Sequence, residues 1–225
     1  MASASEAYIK PMLIQRAIRT QRIQTTAPLV FGVDPARLGK DSFKVHHRKG
    51  RNSTKHEEYP SMRIDQSTAR LIKDINKYKP QKVFIDAGGL GVGLYDNLVG
   101  AGYGKIAVKV DFGGSSTEPD KNRNMVSEMF REARAWLEDL PCSMEMLKEK
   151  DAAAIQAQIS ARRYKWDRNS ILNIESKDEF KREFGFSPDD GDAFLLTFAQ
   201  EIAPSNNDFN TNQTVVLEAD WNPYD

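Results

Sequence analysis

Two aspartates each close a short apolar run: Asp34 ends Leu29-Val30-Phe31-Gly32-Val33, and Asp86 ends Lys82-Val83-Phe84-Ile85. Runs of that length and content read as buried strands. Ligands gather at the carboxyl ends of strands in an open α/β sheet. If the two strands are neighbours, both carboxylates leave the sheet at one edge. Two such charges repel unless a cation separates them. Mg²⁺ or Mn²⁺ suits the pair, because both ions prefer carboxylate and water oxygens. Either aspartate alone also reads as a turn opener, since Asp-Pro and Asp-Ala-Gly-Gly begin turns. The recurrence of the pattern is what favours a site.

A third acid comes from Ser187-Pro188-Asp189-Asp190-Gly191-Asp192-Ala193. Ser187 reads as a helix N-cap, Pro188 as the first helical residue and Asp190 as the capping-box acid. Asp189 and Asp190 also favour the positive end of the helix dipole. Asp192 has no such explanation, because it shares a helical face with Leu195, Leu196 and Ala199. An acid on an apolar stripe is costly unless it is paired or metal-bound. Gly191 beside it is expected to leave the approach open. Two acids from strands and one from a late helix suit two-metal phosphodiester hydrolysis, in which no side chain is the nucleophile. Nucleophile-based chemistry has little support. Cys142 is the single cysteine, and His46, His47 and His56 fall in one hairpin, where solvated surface residues are expected over a weak metal patch.

The elements that must hold these acids follow from periodicity. Residues 42–48 and 55–60 flank Lys49-Gly50-Arg51-Asn52-Ser53 as a hairpin. Residues 67–78 place Leu71, Ile72, Ile75 and Tyr78 on one helical face before Pro80. A helix follows residues 88–93, a third strand spans 106–110, and a long helix spans 122–140 before Pro141. A short hairpin at 164–166 and 171–174 precedes a last helix over 188–202. This order predicts an α/β fold: a central mixed β-sheet, an antiparallel hairpin plus parallel strands, flanked by helices. Residues 1–27 read as a lead-in or linker with a short amphipathic face at Met12, Leu13, Ile14 and Ala17. Residues 28–203 read as one domain and 204–225 as a loose tail.

No apolar run approaches the roughly 18 residues of a membrane span, and the start lacks a signal-peptide core. A cytoplasmic protein without a membrane partner is expected. Lys+Arg and Asp+Glu both number 32, so net charge is zero and any DNA footprint must be local. Lys44, Arg48, Lys49, Arg51 and Lys55 concentrate positive charge in the first hairpin; Arg37, Lys40, Arg123, Arg162 and Arg163 are further phosphate-contact candidates. A basic ribbon beside the acids could follow phosphates without reading bases. An ordinary solvated hairpin accounts for the first group equally well.

The segment Val33-Asp34-Pro35-Ala36-Arg37-Leu38-Gly39-Lys40-Asp41 resembles the opening strand motif of the nuclease domains of tailed-phage large terminase subunits. Phe84-Ile85-Asp86-Ala87-Gly88-Gly89-Leu90-Gly91-Val92-Gly93 is similar to their second acidic motif. Asn122-Arg123-Asn124-Met125 resembles the basic start of their long helix. Arg163-Tyr164-Lys165, then Ile174-Glu175-Ser176-Lys177, Ser187-Pro188-Asp189 and Asp192-Ala193, resemble their C-terminal signature, the most specific part. The similarity covers about residues 28–202. It implies an RNase H-like fold, with metal ligands at Asp34, Asp86 and Asp192 and secondary acids at Asp189 and Asp41. It also implies an endonuclease that cuts concatemeric double-stranded viral DNA, with little sequence preference, in the host cytoplasm. In the full packaging motor the implied partners are the portal protein and the small terminase subunit. No Walker A loop is present, so ATP is not expected to be used by this chain.

Three alternatives stay open. One is another RNase H-like nuclease, of resolvase or RNase H type. A second is a non-catalytic DNA-docking module. The third, a dinucleotide site at Gly88-Gly89-Leu90-Gly91-Val92-Gly93, lacks the third glycine of G-x-G-x-x-G, because Asp96 stands there.

Overall fold

Five strands form one mixed sheet in the computed structural model, which describes residues 7–35 and 42–202. They are β1 (Leu29–Asp34), β2 (Phe43–Lys49), β3 (Asn52–Tyr59), β4 (Lys82–Asp86) and β5 (Ala107–Val110), in the order β3-β2-β1-β4-β5. β1–β2 and β2–β3 pair antiparallel; β1–β4 and β4–β5 pair parallel. The expected combination of a hairpin with parallel strands is therefore present.

Alternation along the strands divides their side chains between two cores. Phe31, Val33, Val83 and Ile85 point to one face, under α2 (Ile64–Tyr78) and α3 (Leu90–Leu98). Val30 and Phe84 point to the other. That second face is covered by α1 (Pro11–Arg19), α4 (Met125–Glu138), α5 (Glu149–Ala161) and α7 (Asp189–Leu196). The short ladder β6 (Tyr164–Trp166) and β7 (Leu172–Ile174) precedes α6 (Lys177–Phe184). Among the described residues no helix is long and apolar enough to cross a membrane.

Several elements differ from expectation. The described part of the lead-in is no linker: Tyr8, Ile9, Ile14 and Ala17 are buried in the second core. α5 was not expected, because its apolar contacts reduce to Ala152, Ile155 and Ile159, with Asp151 and Gln158 buried among them. α6 was also missed, although its capping box is written in the sequence: Ser176 accepts from the Glu179 amide, and Glu179 accepts from the Ser176 amide. The long helix starts at Met125, capped by Asn124, whose side chain accepts from the Ser127 amide at 3.1 Å. The last helix stops at Leu196, and Pro188, not Ser187, is its N-cap residue.

Strand β1 and helix α7 pack backbone against backbone. A Cβ on Gly32 would stand 2.0 Å from the Ala193 carbonyl oxygen, so no side chain fits between strand and helix there. Gly32→Ala must push backbone away from backbone. Overpacking of this kind costs about 1–3 kcal/mol or more, which for a chain this long lowers Tm by roughly 2–4 °C per kcal/mol. Thermal unfolding of Gly32→Ala should therefore show a clear fall in Tm; an unchanged Tm would mean that α7 does not rest on β1.

Candidate metal centre

The register of the sheet brings the first two acids together. Val33 pairs with Ile85 across the parallel β1–β4 ladder, so Asp34 and Asp86 follow as neighbours at the carboxyl end. By strand alternation both lie on the α7 side of the sheet. After Asp86 the chain turns at once into α3. Gly91 is required there, because a Cβ at that position would meet the Asp86 carbonyl oxygen at 1.6 Å. The Asp86 carboxylate accepts from the Gly88 amide at 2.9 Å. Asp192 projects from α7 into the same region and is fully buried. Asp34, Asp86 and Asp189 line one narrow cleft of about 20 Å³, room for little more than a water. Roomier clefts lie elsewhere, such as that of about 650 Å³ along Arg48, Trp136 and Phe198, beyond the opposite end of β1.

Lys177, at the start of α6, ties the acids together. Its ammonium donates to Asp34 Oδ2 at 2.8 Å and lies 3.1 Å from Asp189 Oδ1 and 3.3 Å from Asp192 Oδ2. Sequence reasoning gave Lys177 no role, although the capping box before it could have placed it at a helix start. Arg162 holds Asp192 from the other side, at 3.3 Å from Oδ1. The guanidinium itself is buried, donates twice to the Glu175 carbonyl, and lies over the rings of Phe130 and Phe180. It cannot reach a phosphate, and its expected role as a DNA contact is corrected accordingly.

Charge does not balance in this cleft. Four carboxylates (Asp34, Asp86, Asp189 and Asp192) face Lys177 and Arg162, and on the rim Asp178 and Lys181 offset each other. Burial, and then the charges of Asp189, Asp192 and Asp86, push the Asp34 carboxyl well above the usual carboxylate range, against the pull of Lys177. Burial works against the charge on Lys177, but Asp34, Asp192 and Asp189 outweigh it and hold the ammonium well above its ordinary value. Asp192 Oδ2 is buried and accepts no hydrogen bond. Among the described residues its one polar contact is the Lys177 ammonium at 3.3 Å, and a cluster of carboxylates with surplus negative charge fits a hard cation. Among the described residues no three His, Cys, Asp or Glu side chains already stand at ligand spacing; the Lys177 ammonium lies between those that would.

The other expected site residues fall into three groups. Arg37, Lys40 and Asp41 lie outside the described residues. The hairpin residues do not form a ribbon beside the acids. Leu29 pairs with Lys49 and Asp34 with Lys44, so the turn at Lys49-Gly50-Arg51 is at the far end of β1, roughly 17 Å away at strand rise. Lys44 is buried and ion-paired to Asp190 at 2.7 Å. Arg48 donates to the Thr197 hydroxyl and carbonyl. Arg51 donates to the Trp136, Leu140 and Pro141 carbonyls. Lys55 donates to Tyr78 at 2.7 Å and pairs with Glu57. These four are structural, while Arg123 and Arg163 are exposed, the latter paired with Glu183.

The histidines are also corrected, being buried and not solvated. Burial holds His46 well below the usual imidazole range and lowers His47 to about 3, so both are neutral. Gly191 opens no approach; it allows α7 to sit against Gln158 and Ile159 of α5, whose atoms a Cβ would meet at 3.3 Å. Asp190 is no capping acid. Its side chain turns away from the cleft to Lys44, His56 and Gln158.

No protein-family model matches the chain, and no curated protein matches it. Solved structures do. The nuclease domain of the large terminase subunit of bacterial virus Sf6 superposes with TM-score 0.68 at 21% identity, over 88% of this chain and 100% of that one. A lysine-to-alanine variant of the same domain, solved with manganese and β-thujaplicinol, gives 0.72 at 20% identity over 88% and 100%. The large terminase nuclease of thermophilic phage G20c with bound magnesium gives 0.54 at 13% identity over 88% and 99%. At these identities the likeness is one of fold, and the fold is the RNase H-like one of phage large-terminase nuclease domains.

Proposed function

We propose that this protein is a divalent-metal-dependent endodeoxyribonuclease of phage DNA packaging, with Asp34, Asp86 and Asp192 as metal ligands and Asp189 as a secondary one. The observation that carries this reading is the convergence of Asp34, Asp86 and Asp189 on one cleft at the carboxyl end of β1 and β4, with Asp192 buried beside it across Lys177, and with more negative charge than Lys177 and Arg162 offset. The shared fold supports it, as do the manganese and magnesium in the similar nuclease domains of Sf6 and G20c.

Mg²⁺ or Mn²⁺ bound there would activate a water and neutralise charge on the phosphodiester. The chain's own residues hold and orient. Asp34 and Asp86 offer oxygens from strand ends, and Arg162 fixes the Asp192 carboxylate through one oxygen while Oδ2 faces the Lys177 ammonium. Lys177 keeps the acids together by occupying the position a cation would take, and it must share or yield that position on metal binding. The substrate is concatemeric double-stranded viral DNA in the host cytoplasm, cut with little sequence preference. The portal protein and the small terminase subunit are the partners of the complete motor.

Incubating supercoiled plasmid with Mg²⁺, Mn²⁺, Ca²⁺ or EDTA tests the reading. Nicking is expected with Mn²⁺ or Mg²⁺, none in EDTA, and a loss of at least roughly 100-fold in Asp192→Ala, since even outer residues of metal sites are worth 10–100-fold. Absence of cleavage with every metal would leave a DNA-docking module.

Lys177→Ala makes a second test by calorimetry. Removing the competing ammonium should tighten Mn²⁺ binding several-fold and lower Tm in the absence of metal. Unaltered affinity would show that the ammonium and the metal do not compete.

A further inference from the structure

The inner face of the β2–β3 hairpin points at α7. Lys44, His46 and Arg48 alternate on β2, opposite Asp34, Gly32 and Val30 of β1. They therefore share the face on which α7 lies. Arg48 binds the carboxyl end of α7 through the Thr197 carbonyl, a favourable place for a cation. Lys44 reaches Asp190 at the amino end.

Asp190 has every oxygen committed. Oδ1 accepts from Lys44 Nζ at 2.7 Å and from His56 Nε2 at 2.9 Å; Oδ2 accepts from Gln158 Nε2 at 2.8 Å. Gln158 in turn accepts from the Gly191 amide at 2.7 Å through Oε1. The chain continues inward. His56 Nδ1 and His46 Nδ1 are 3.1 Å apart, and His46 Nε2 is 3.0 Å from Ser53 Oγ. One placement of the ring hydrogens satisfies all of these contacts as follows. The Ser53 hydroxyl donates to His46 Nε2, His46 Nδ1–H donates to His56 Nδ1, and His56 Nε2–H donates to Asp190. His46 also meets the ring of Phe194, one α7 turn on, at 5.2 Å.

A fully satisfied buried polar network specifies one geometry, because any shift leaves a buried group unpaired. This one grips the residue that lies between the two α7 acids of the cleft, Asp189 and Asp192. We propose that Asp190 is a positioning residue: anchored by Lys44, His56 and Gln158, it fixes the rotation and height of α7 so that Asp189 and Asp192 face Asp34 and Asp86. The inference rests on the metal-site reading above. It assigns the hairpin a task distinct from DNA contact, that of a frame for the ligand-bearing helix. Asp190 does not line the acid cleft, and both of its oxygens are already hydrogen-bonded elsewhere.

The test uses the full 225-residue chain and four proteins: wild type, Asp190→Asn, His56→Leu and His56→Gln. Asparagine places an amide donor against the Gln158 or Lys44 donors. Leucine removes the His56 donor and acceptor together. Glutamine restores one of each. Mn²⁺ affinity is measured by calorimetry, the Mn²⁺ concentration for half-maximal plasmid nicking by titration, and Tm without metal by thermal unfolding. Outer-sphere support of a metal site is worth about 10–100-fold in affinity. Asp190→Asn and His56→Leu should weaken Mn²⁺ binding about tenfold or more and raise the half-maximal Mn²⁺ concentration in parallel, with His56→Gln returning to within about threefold of wild type. A lower Tm accompanied by wild-type Mn²⁺ affinity in both disruptive variants would reduce the network to stability alone and overturn the proposal. Wild-type protein that binds Mn²⁺ but nicks no DNA would sink the nuclease reading only, because the four affinities still decide the positioning role. Wild-type protein that takes up no Mn²⁺ would sink both.

Discussion

Backbone contact between α7 and β1 over Gly32 sets the rest of this structure. Only a glycine lets the helix lie on the strand at that distance. With α7 there, Asp192 is driven into the space behind Asp34, where it is fully buried. That burial requires a partner, and Arg162 and Lys177 supply it. Arg162 in turn must be buried to reach Asp192, and it is made tolerable by the Glu175 carbonyl and two aromatic faces. Helix α6, capped by Ser176 and anchored by buried Phe180, brings Lys177 at its start to the acids. The order of dependence thus runs from a missing side chain on a strand to a charged cleft at the end of it.

Burying charge is expensive unless each charge is paired and hydrogen-bonded. Asp190 meets that standard in full, and Asp192 does not, since one of its oxygens accepts nothing. The two lie two residues apart on one short helix. The contrast separates structure from chemistry more sharply than burial does. Asp190 is tied by hydrogen bonds on both oxygens, whereas among the described residues Asp192 Oδ2 has only the ionic contact with Lys177 at 3.3 Å. The same distinction divides the two cations of the cleft. Arg162 is wedged among fixed partners, whereas Lys177 sits at 23% side-chain exposure on the first turn of a helix.

Much of this was legible in the chain itself. Apolar runs ending in Asp34 and Asp86 gave buried strands whose ends meet at one cleft, and an acid on the apolar stripe of the last helix singled out Asp192, which is buried 3.3 Å from the Lys177 ammonium of that cleft. Less legible was anything set by tertiary pairing. The hairpin at β2–β3 reads as a basic surface ribbon because its composition is basic, and composition does not tell which face is inward. The register across β1 decides that, turning Lys44 and Arg48 toward α7 and sending the turn to the far end of the sheet. α5 was hidden because part of its buried face is polar: Gln158 and Asp151 interrupt the apolar period that would mark a helix. The role of Asp190 was hidden for a similar reason. Its position suits a capping acid so well that local reasoning stops there, yet Pro188 takes the cap position and Asp190 pairs across more than a hundred residues.

Zero net charge argued mildly against a partner as anionic as DNA. That inference counts every lysine and arginine as available to solvent, and here several are not. Lys44, Arg48 and Arg162 are spent inside the protein on Asp190, on the end of α7 and on Asp192, and Lys177 is spent on the cleft. The acidic partners of Lys44, Arg162 and Lys177 are equally withdrawn from the surface. The balance that a phosphate backbone would meet is set by what is left outside, including the exposed Arg123, Lys165, Arg168, Lys181 and Arg182. Of these, Lys181 lines the rim of the acid cleft itself. Asp178 on the same rim offsets Lys181, so the surplus negative charge of the acids below it would repel a phosphate until a cation offset that charge.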